Sequence, residues 1–373
     1  MKITIWSYPN DWSRWLGNVR ACIYSGTLLS FVNHKLGVTM SNWLSDSIMA
    51  KKGEANGKQN SSHSITEDSQ GKYHYVLGAY AEPVLKVDPG ALISVETHDA
   101  FEGKIEKETD KPSEILNVPY LNPQNGPIFV NGARKGDTLA VYIKSMKPRG
   151  EQPVGTTCLI SEFGGLVGTK DTAMLNDPLP EIVKKVVVDE KGVHWSKNLI
   201  LPYQPFIGTI GTSPEIEAIT SLQPDYYGGN MDVPDVAVGN VIYLPVNKDG
   251  AYLYLGDCHA AQGDGELCGV AIEHPTVTEI QVDLIKNWEI VNPRVESEKF
   301  FMSIGSGRPM EDAVRRAYRD LVFWMEKDWG YDKLEAYFLL TQCGKVRLGN
   351  MVDPKYSMGA SIDKETLLKG LDH

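Results

Sequence analysis

Residues 240–269 read NVIYLPVNKDGAYLYLGDCHAAQGDGELCG, and the first half of this stretch sets the fold class. Two short apolar runs, Val241–Leu244 and Tyr252–Leu255, flank a polar segment whose asparagine, aspartate and glycine tolerate the positive φ of a tight turn. The pattern predicts a hairpin connection over Val246–Ala251. Runs of the same kind recur on both sides, among them KYHYVLGAY, EPVLKVDPGALISVETHDAF, GPIFVNGARKGDTLAVYIKSM and TEIQVDLIKNWEIV. They are rich in Val, Ile, Leu and Tyr and are punctuated by Pro-Gly, Asp-Gly and Lys-Gly turns. Many strands at such spacing predict a mainly β (α+β) chain with a β-sandwich or jelly-roll-like core.

A helical element is expected near the C-terminus. Pro309 suits a first helical position, Glu311 faces Arg315 at i,i+4, and Ala313, Ala317, Leu321, Trp324 and Met325 recur on one face until Gly330. A second helix is expected over Tyr331–Leu340. At the other end, KKGEANGKQNSSHSITEDSQG (residues 51–71) is polar and reads as a linker. It divides an N-terminal extension of open role, residues 1–60, from a main domain over residues 61–373.

The chain has 373 residues and a formal net charge of −11, which argues against nucleic acid or an anionic membrane as partner. Its longest N-terminal apolar run, ACIYSGTLLSFV, is too short to span a bilayer. Five scattered cysteines without a C-x-x-C pair suit a reducing compartment, so a cytoplasmic location is expected.

The second half of the opening stretch carries the chemistry. Asp257 and His259 are two apart, so an extended backbone projects both from one face, as a ligand pair for Zn²⁺ or a similar ion requires. Gly263 and Gly265 permit a reversal that returns Glu266 over that pair, where a carboxylate serves as general base. Cys258, between Asp257 and His259, points to the opposite face, and Cys268 opens the next apolar run. A thiolate nucleophile is the rival reading. Glu96, His98 and Asp99 end another strand; alternation there puts Asp99 with Thr97 and His98 with Glu96. The Gly228–Asp232 segment, GGNMD, offers Gly229, Asn230 and Asp232 to hold a substrate oxygen or an oxyanion. Glu273 reads as a salt-bridge partner or a support behind the site. A non-catalytic β-sandwich binding module with a structural Ca²⁺ in the acidic turn is the reading from a different class.

GDCHAAQGDGEL, with GGNMD upstream, resembles the signature of the acetamidase/formamidase family. HDAFEG, NPQNGPIFVNGARKGDTLAVYI, PFIGTIGTSPE and KVRLGNMVDP resemble further blocks of that family in the same order, over about His63 to Leu368. The resemblance implies hydrolysis of small linear amides, a β-sandwich fold, a homo-oligomer, and a divalent metal, zinc or a similar ion, with calcium the alternative that the binding-module reading brings. It implies Asp99, Asp257 and His259 for the metal; His98 is a further candidate from its place beside Asp99, at a position that varies in the family. Glu266 becomes the acid/base, and Asn230 and Asp232 become substrate or supporting residues.

Overall fold

A computed structural model describes residues 62–167, 179–189 and 191–371. The N-terminal extension lies outside the described residues.

Among the described residues, two large sheets face each other. One has nine strands in the order Ser62–Ile65, Ala91–Glu96, Thr276–Ile285, Thr138–Pro148, Val241–Pro245, Arg294–Glu296, Phe300–Gly307, Tyr356–Asp363, Lys345–Asn350. The other has five: Gly228–Asn230, Phe206–Gly211, Leu253–His259, Gln124–Val130 and Leu85–Val87. Ile93, Val141, Ile242 and Ile280 from the first meet Ile128, Ile207, Leu253 and Leu255 from the second in one buried cluster. The chain is therefore mainly β and sandwich-like, as the spacing of its apolar runs implies. A four-stranded sheet over residues 154–201 joins the five-stranded one through Glu273, whose backbone bridges both Thr156 and His259.

The expected hairpin is absent. Val241–Pro245 pairs with Thr138–Pro148 and Arg294–Glu296, whereas Leu253–His259 pairs with Phe206–Gly211 and Gln124–Val130. The intervening turn has positive φ at Gly250, Ala251 and Tyr252, but it carries the chain from one sheet to the other. Its arms are buried along their whole length, so each takes an inner place in its own sheet instead of pairing with the other.

Part of the expected linker is ordered structure. Ser62–Ile65 adds a parallel edge strand to Ala91–Glu96, and Thr66 caps the short helix Glu67–Gln70. Gln70 is buried and exchanges side-chain hydrogen bonds with the backbone of Gly126. Polar composition hid this strand because an edge strand is held by main-chain bonds.

Helix Met310–Trp329 packs its Ala313, Ala317, Leu321, Trp324 and Met325 face on the nine-stranded sheet. Pro309 caps it from outside rather than occupying the first turn, and Arg315 pairs with Asp312 instead of Glu311. The next helix runs Lys333–Cys343, capped by the Asp332 carboxylate. No helix among the described residues is long and apolar enough to cross a membrane.

Candidate active site

The strand Leu253–His259 continues through Gly256, so alternation persists across the motif. Cys258 faces the core between the sheets, where burial pushes its thiol pKa up, which opposes a thiolate role. Asp257 and His259 share the opposite face and are 2% and 1% exposed.

Glu266 reaches the same place through the predicted turn. Gly265 (φ +91) and Glu266 (φ +50) are both left-handed, and Gly265 is pinned by Leu348 O and Gly349 O. Asp232 arrives from the end of the Gly228–Asn230 strand. Two groups result among the described residues, Asp232–Asp257–His259 and His259–Glu266–Glu273, with one ligand atom of each member within 4.8 Å of the others.

One oxygen of each of three carboxylates is held, leaving the other free. Asp257 Oδ2 accepts from Asn122 Nδ2 at 2.8 Å and from Thr209 Oγ1 at 3.0 Å. Asp232 Oδ2 accepts from Asn350 Nδ2 at 3.3 Å, and Glu273 Oε1 from the Ala271 backbone at 2.9 Å. Gln262 fixes the histidine. Its Nε2 donates to the carbonyls of Asp232 and Gly349, so its Oε1 must face His259 Nδ1, 2.9 Å away, and accept a hydrogen bond from its N–H. His259 Nε2 then looks at Asp257 Oδ1 (3.4 Å) and Glu273 Oε2 (3.3 Å), with no well-aligned hydrogen bond to either. Asp232 Oδ1, His259 Nε2 and Glu273 Oε2 are all buried without hydrogen-bond partners. Such atoms are costly unless a cation or proton lies among them.

The electrostatics follow from burial. Burial raises the Glu266 carboxyl well above the usual range, with the Asp232 carboxylate adding to it. Asp353 and Glu273 shift the same way, again led by burial. For His259 burial disfavours the imidazolium, yet the Glu273 and Asp257 carboxylates outweigh it and raise the pKa. The backbone is strained here as well: Asn122, Asp232, Asp257 and Glu266 all have positive φ. Non-glycine residues in that region cost on the order of 1–2 kcal/mol each, and such strain gathers at functional sites.

Asp99 and His98 do not join this cluster. Asp99 Oδ1 accepts from the backbones of Phe101 and Gly103, closing a turn, and the His98 ring packs on Tyr73 beside Glu67. The strand ends at Glu96, after which alternation no longer sets side-chain direction. Gly229 is packed under Gln223 and does not line the cavity above the site. Asn230 does line it, but one amide proton goes to Asp353 Oδ2 (2.9 Å) while its oxygen accepts from Asn122 and Thr209.

Glu273, read from the sequence as a salt-bridge partner or a support behind the site, is a charge within the apolar run GVAIEH that demands a partner, and it stands in the cluster itself. Other neighbours escaped the reading of the sequence for want of a signal. Asp353, Asn122 and Gln262 gave none beyond lying in or beside the recognised blocks. Gly208 is the least conspicuous. A Cβ there would sit 2.7 Å from Asp232 Oδ1 and 2.9 Å from Asp257 Oδ2. Gly208→Ala is therefore expected to lower activity about a hundredfold, because a displacement near 1 Å costs that much. Unchanged kcat/KM in a variant of native melting temperature would show that the carboxylates can give way.

Comparison with known proteins agrees with this architecture. The family model described as the acetamidase/formamidase family matches residues 60–225 and 216–362. A crystal structure of an acetamidase from Yersinia enterocolitica is 55% identical, with a TM-score of 0.84 over 88% of this chain and 99% of that one. A putative formamidase of Schizosaccharomyces pombe and a formamidase of Methylophilus methylotrophus are each 27% identical over 54% and 55% of this chain. The chain spans 61% and 62% of the length of those two relatives. Fold, motif order and sequence agree: this chain belongs to the acetamidase/formamidase family.

Proposed function

We propose that this protein hydrolyses the carbon–nitrogen bond of linear amides to a carboxylate and ammonia, with a divalent metal, zinc or a similar ion, as cofactor. The observation that carries the metal is the set of partnerless buried atoms, Asp232 Oδ1, His259 Nε2 and Glu273 Oε2, beside Asp257 Oδ1. Asp232, Asp257 and His259 would hold the ion, and Gln262 fixes the histidine tautomer behind it, as outer partners of metal-binding histidines do. When bound, such an ion polarises the carbonyl and acidifies water.

The remaining chemistry belongs to side chains of this chain. Glu266 lines the cavity, and its raised pKa suits it to take the proton of the attacking water and return it to the departing nitrogen. Asn230, with one amide proton on Asp353, keeps a second to offer near the place where the carbonyl oxygen becomes charged, while both Asn122 amide protons go to Asp257 and Asn230. A structural Ca²⁺ would favour oxygen ligands alone, whereas His259 places nitrogen among the donors. The free cysteines support a cytoplasmic location, and the exposed Leu334, Tyr337 and Phe338 support a homo-oligomer.

Ammonia release from acetamide and its homologues tests the reading. Turnover of about 1–10³ s⁻¹ is expected, as for enzymes in general. Absence of ammonia from every amide, in metal-loaded folded protein, would reject it.

A further inference from the structure

The cavity above the carboxylates has a volume of about 390 Å³. That lies in the range of sites that enclose organic ligands with many heavy atoms. Formamide or acetamide would leave most of it to water. Its floor is polar, made by Asn122, Asn230, Asp257, Glu266, Glu273 and Asp353, while its walls are mostly apolar, with Ser161 and the exposed Glu162 among them. Phe101, Leu121, Ile160, Phe163 and Leu222 form those walls, and the exposed Val118 stands among them.

The walls are built in. Phe101 belongs to a buried cluster with Ile105, Cys158, Val183 and Val270, against which Leu121 and Ile160 pack. Phe163 lies where a Cβ on Gly269 would sit, 2.3 Å from its ring, so the absence of a side chain at Gly269 makes room for that wall. The Asx turn at Asp99 holds Ala100 and Phe101 in place from behind. A site that is polar at its floor and apolar along its sides fits a ligand with the same division.

We propose that the preferred substrates are primary amides whose acyl group is bulky and apolar, such as a branched aliphatic chain or an aryl-acetic unit. The carboxamide lies on the polar floor and the acyl group fills the apolar chamber. This inference rests on the amidase reading above. The apolar chamber above this floor gives room for one large substituent of the carboxamide, which the proposal places on the acyl carbon, so the nitrogen keeps its two hydrogens.

The test is kcat/KM along acetamide, butyramide, hexanamide and phenylacetamide with the metal-loaded protein. Each buried methylene is expected to raise it about fourfold, so hexanamide should exceed acetamide on the order of a hundredfold. Leu222→Trp and, separately, Ile160→Trp should cut the ratio of phenylacetamide to acetamide about tenfold or more, with melting temperatures confirming the fold. A flat or falling series overturns the proposal while leaving the amidase reading intact, and so does a preference for N-alkylformamides. Failure to release ammonia from any of these compounds removes both.

Discussion

Replacing Glu266 with glutamine is expected to lower amide turnover by about a hundred- to ten-thousandfold, the usual contribution of a positioned acid/base group. Glutamine keeps the length of the side chain and its acceptor oxygen but cannot exchange a proton. The effect should appear in kcat rather than KM, because proton transfer is needed only in the transition state. Burial, with the Asp232 carboxylate adding to it, raises the Glu266 pKa well above the usual carboxylate range. Its backbone, held at φ +50 by the Gly265 turn, leaves little freedom to search for another geometry. Metal content should be unchanged, since Asp232, Asp257 and His259 remain. If the variant works at the wild-type rate, the proton passes through another group, and Glu273, which lines the same cavity, is the next to replace.

Removing the proposed metal is expected to cost a comparable factor. Dialysis against a chelator should lower activity by a factor on the order of a thousand, and readded Zn²⁺ should restore it. His259→Ala should lose activity irreversibly, with elemental analysis showing less than one equivalent of metal per chain. The two results together separate a cofactor from a merely structural ion, because the variant should stay folded while the chelated protein recovers. A chelated sample that is free of metal and fully active would refute the cofactor. The expectation stands on His259 Nε2: Gln262 Oε1 accepts a hydrogen bond from Nδ1–H, and two carboxylates face the other nitrogen. A positive charge is what that arrangement calls for.

The sequence made local geometry legible and long-range geometry hard to read. Asp257, His259 and Glu266 could be placed near one another because period-two alternation and a glycine turn act over a few residues, and the structure puts them in two adjoining groups that share His259. Asp99 entered the candidate set through the family resemblance and His98 through its place beside it, since alternation separates them and stops applying past Glu96, and neither side chain lies in the cluster. Asp232 looked like a substrate residue, yet it enters the charged cluster, since nothing local says which way a loop at the end of a short strand turns. The corner at Val246–Ala251 teaches the same lesson at the level of the fold. Its residues specify a turn, but whether the arms pair depends on partners more than a hundred positions away, such as Val141 against Ile242. The resemblance to a family supplied what local rules could not, by placing Asp353 and Asn122 within recognised blocks.

The distance in sequence between the parts of the site has a consequence for synthesis. Asn122 holds Asp257, Asn350 holds Asp232, and Asp353 accepts from Asn230, so the constellation closes only when residues near the C-terminus are in place. The nine-stranded sheet closes late as well, because the Tyr356–Asp363 strand, with Lys345–Asn350 beyond it, pairs along Phe300–Gly307. A ribosome adds about 5–20 residues each second, so the nascent chain spends tens of seconds with uncovered strand edges and an incomplete site. Until Tyr356–Asp363 emerges, Phe300–Gly307 has an unpaired edge for chaperones to cover, and a chain that stops short of Asp353 lacks both that carboxylate's hold on Asn230 and the strand that seals this edge.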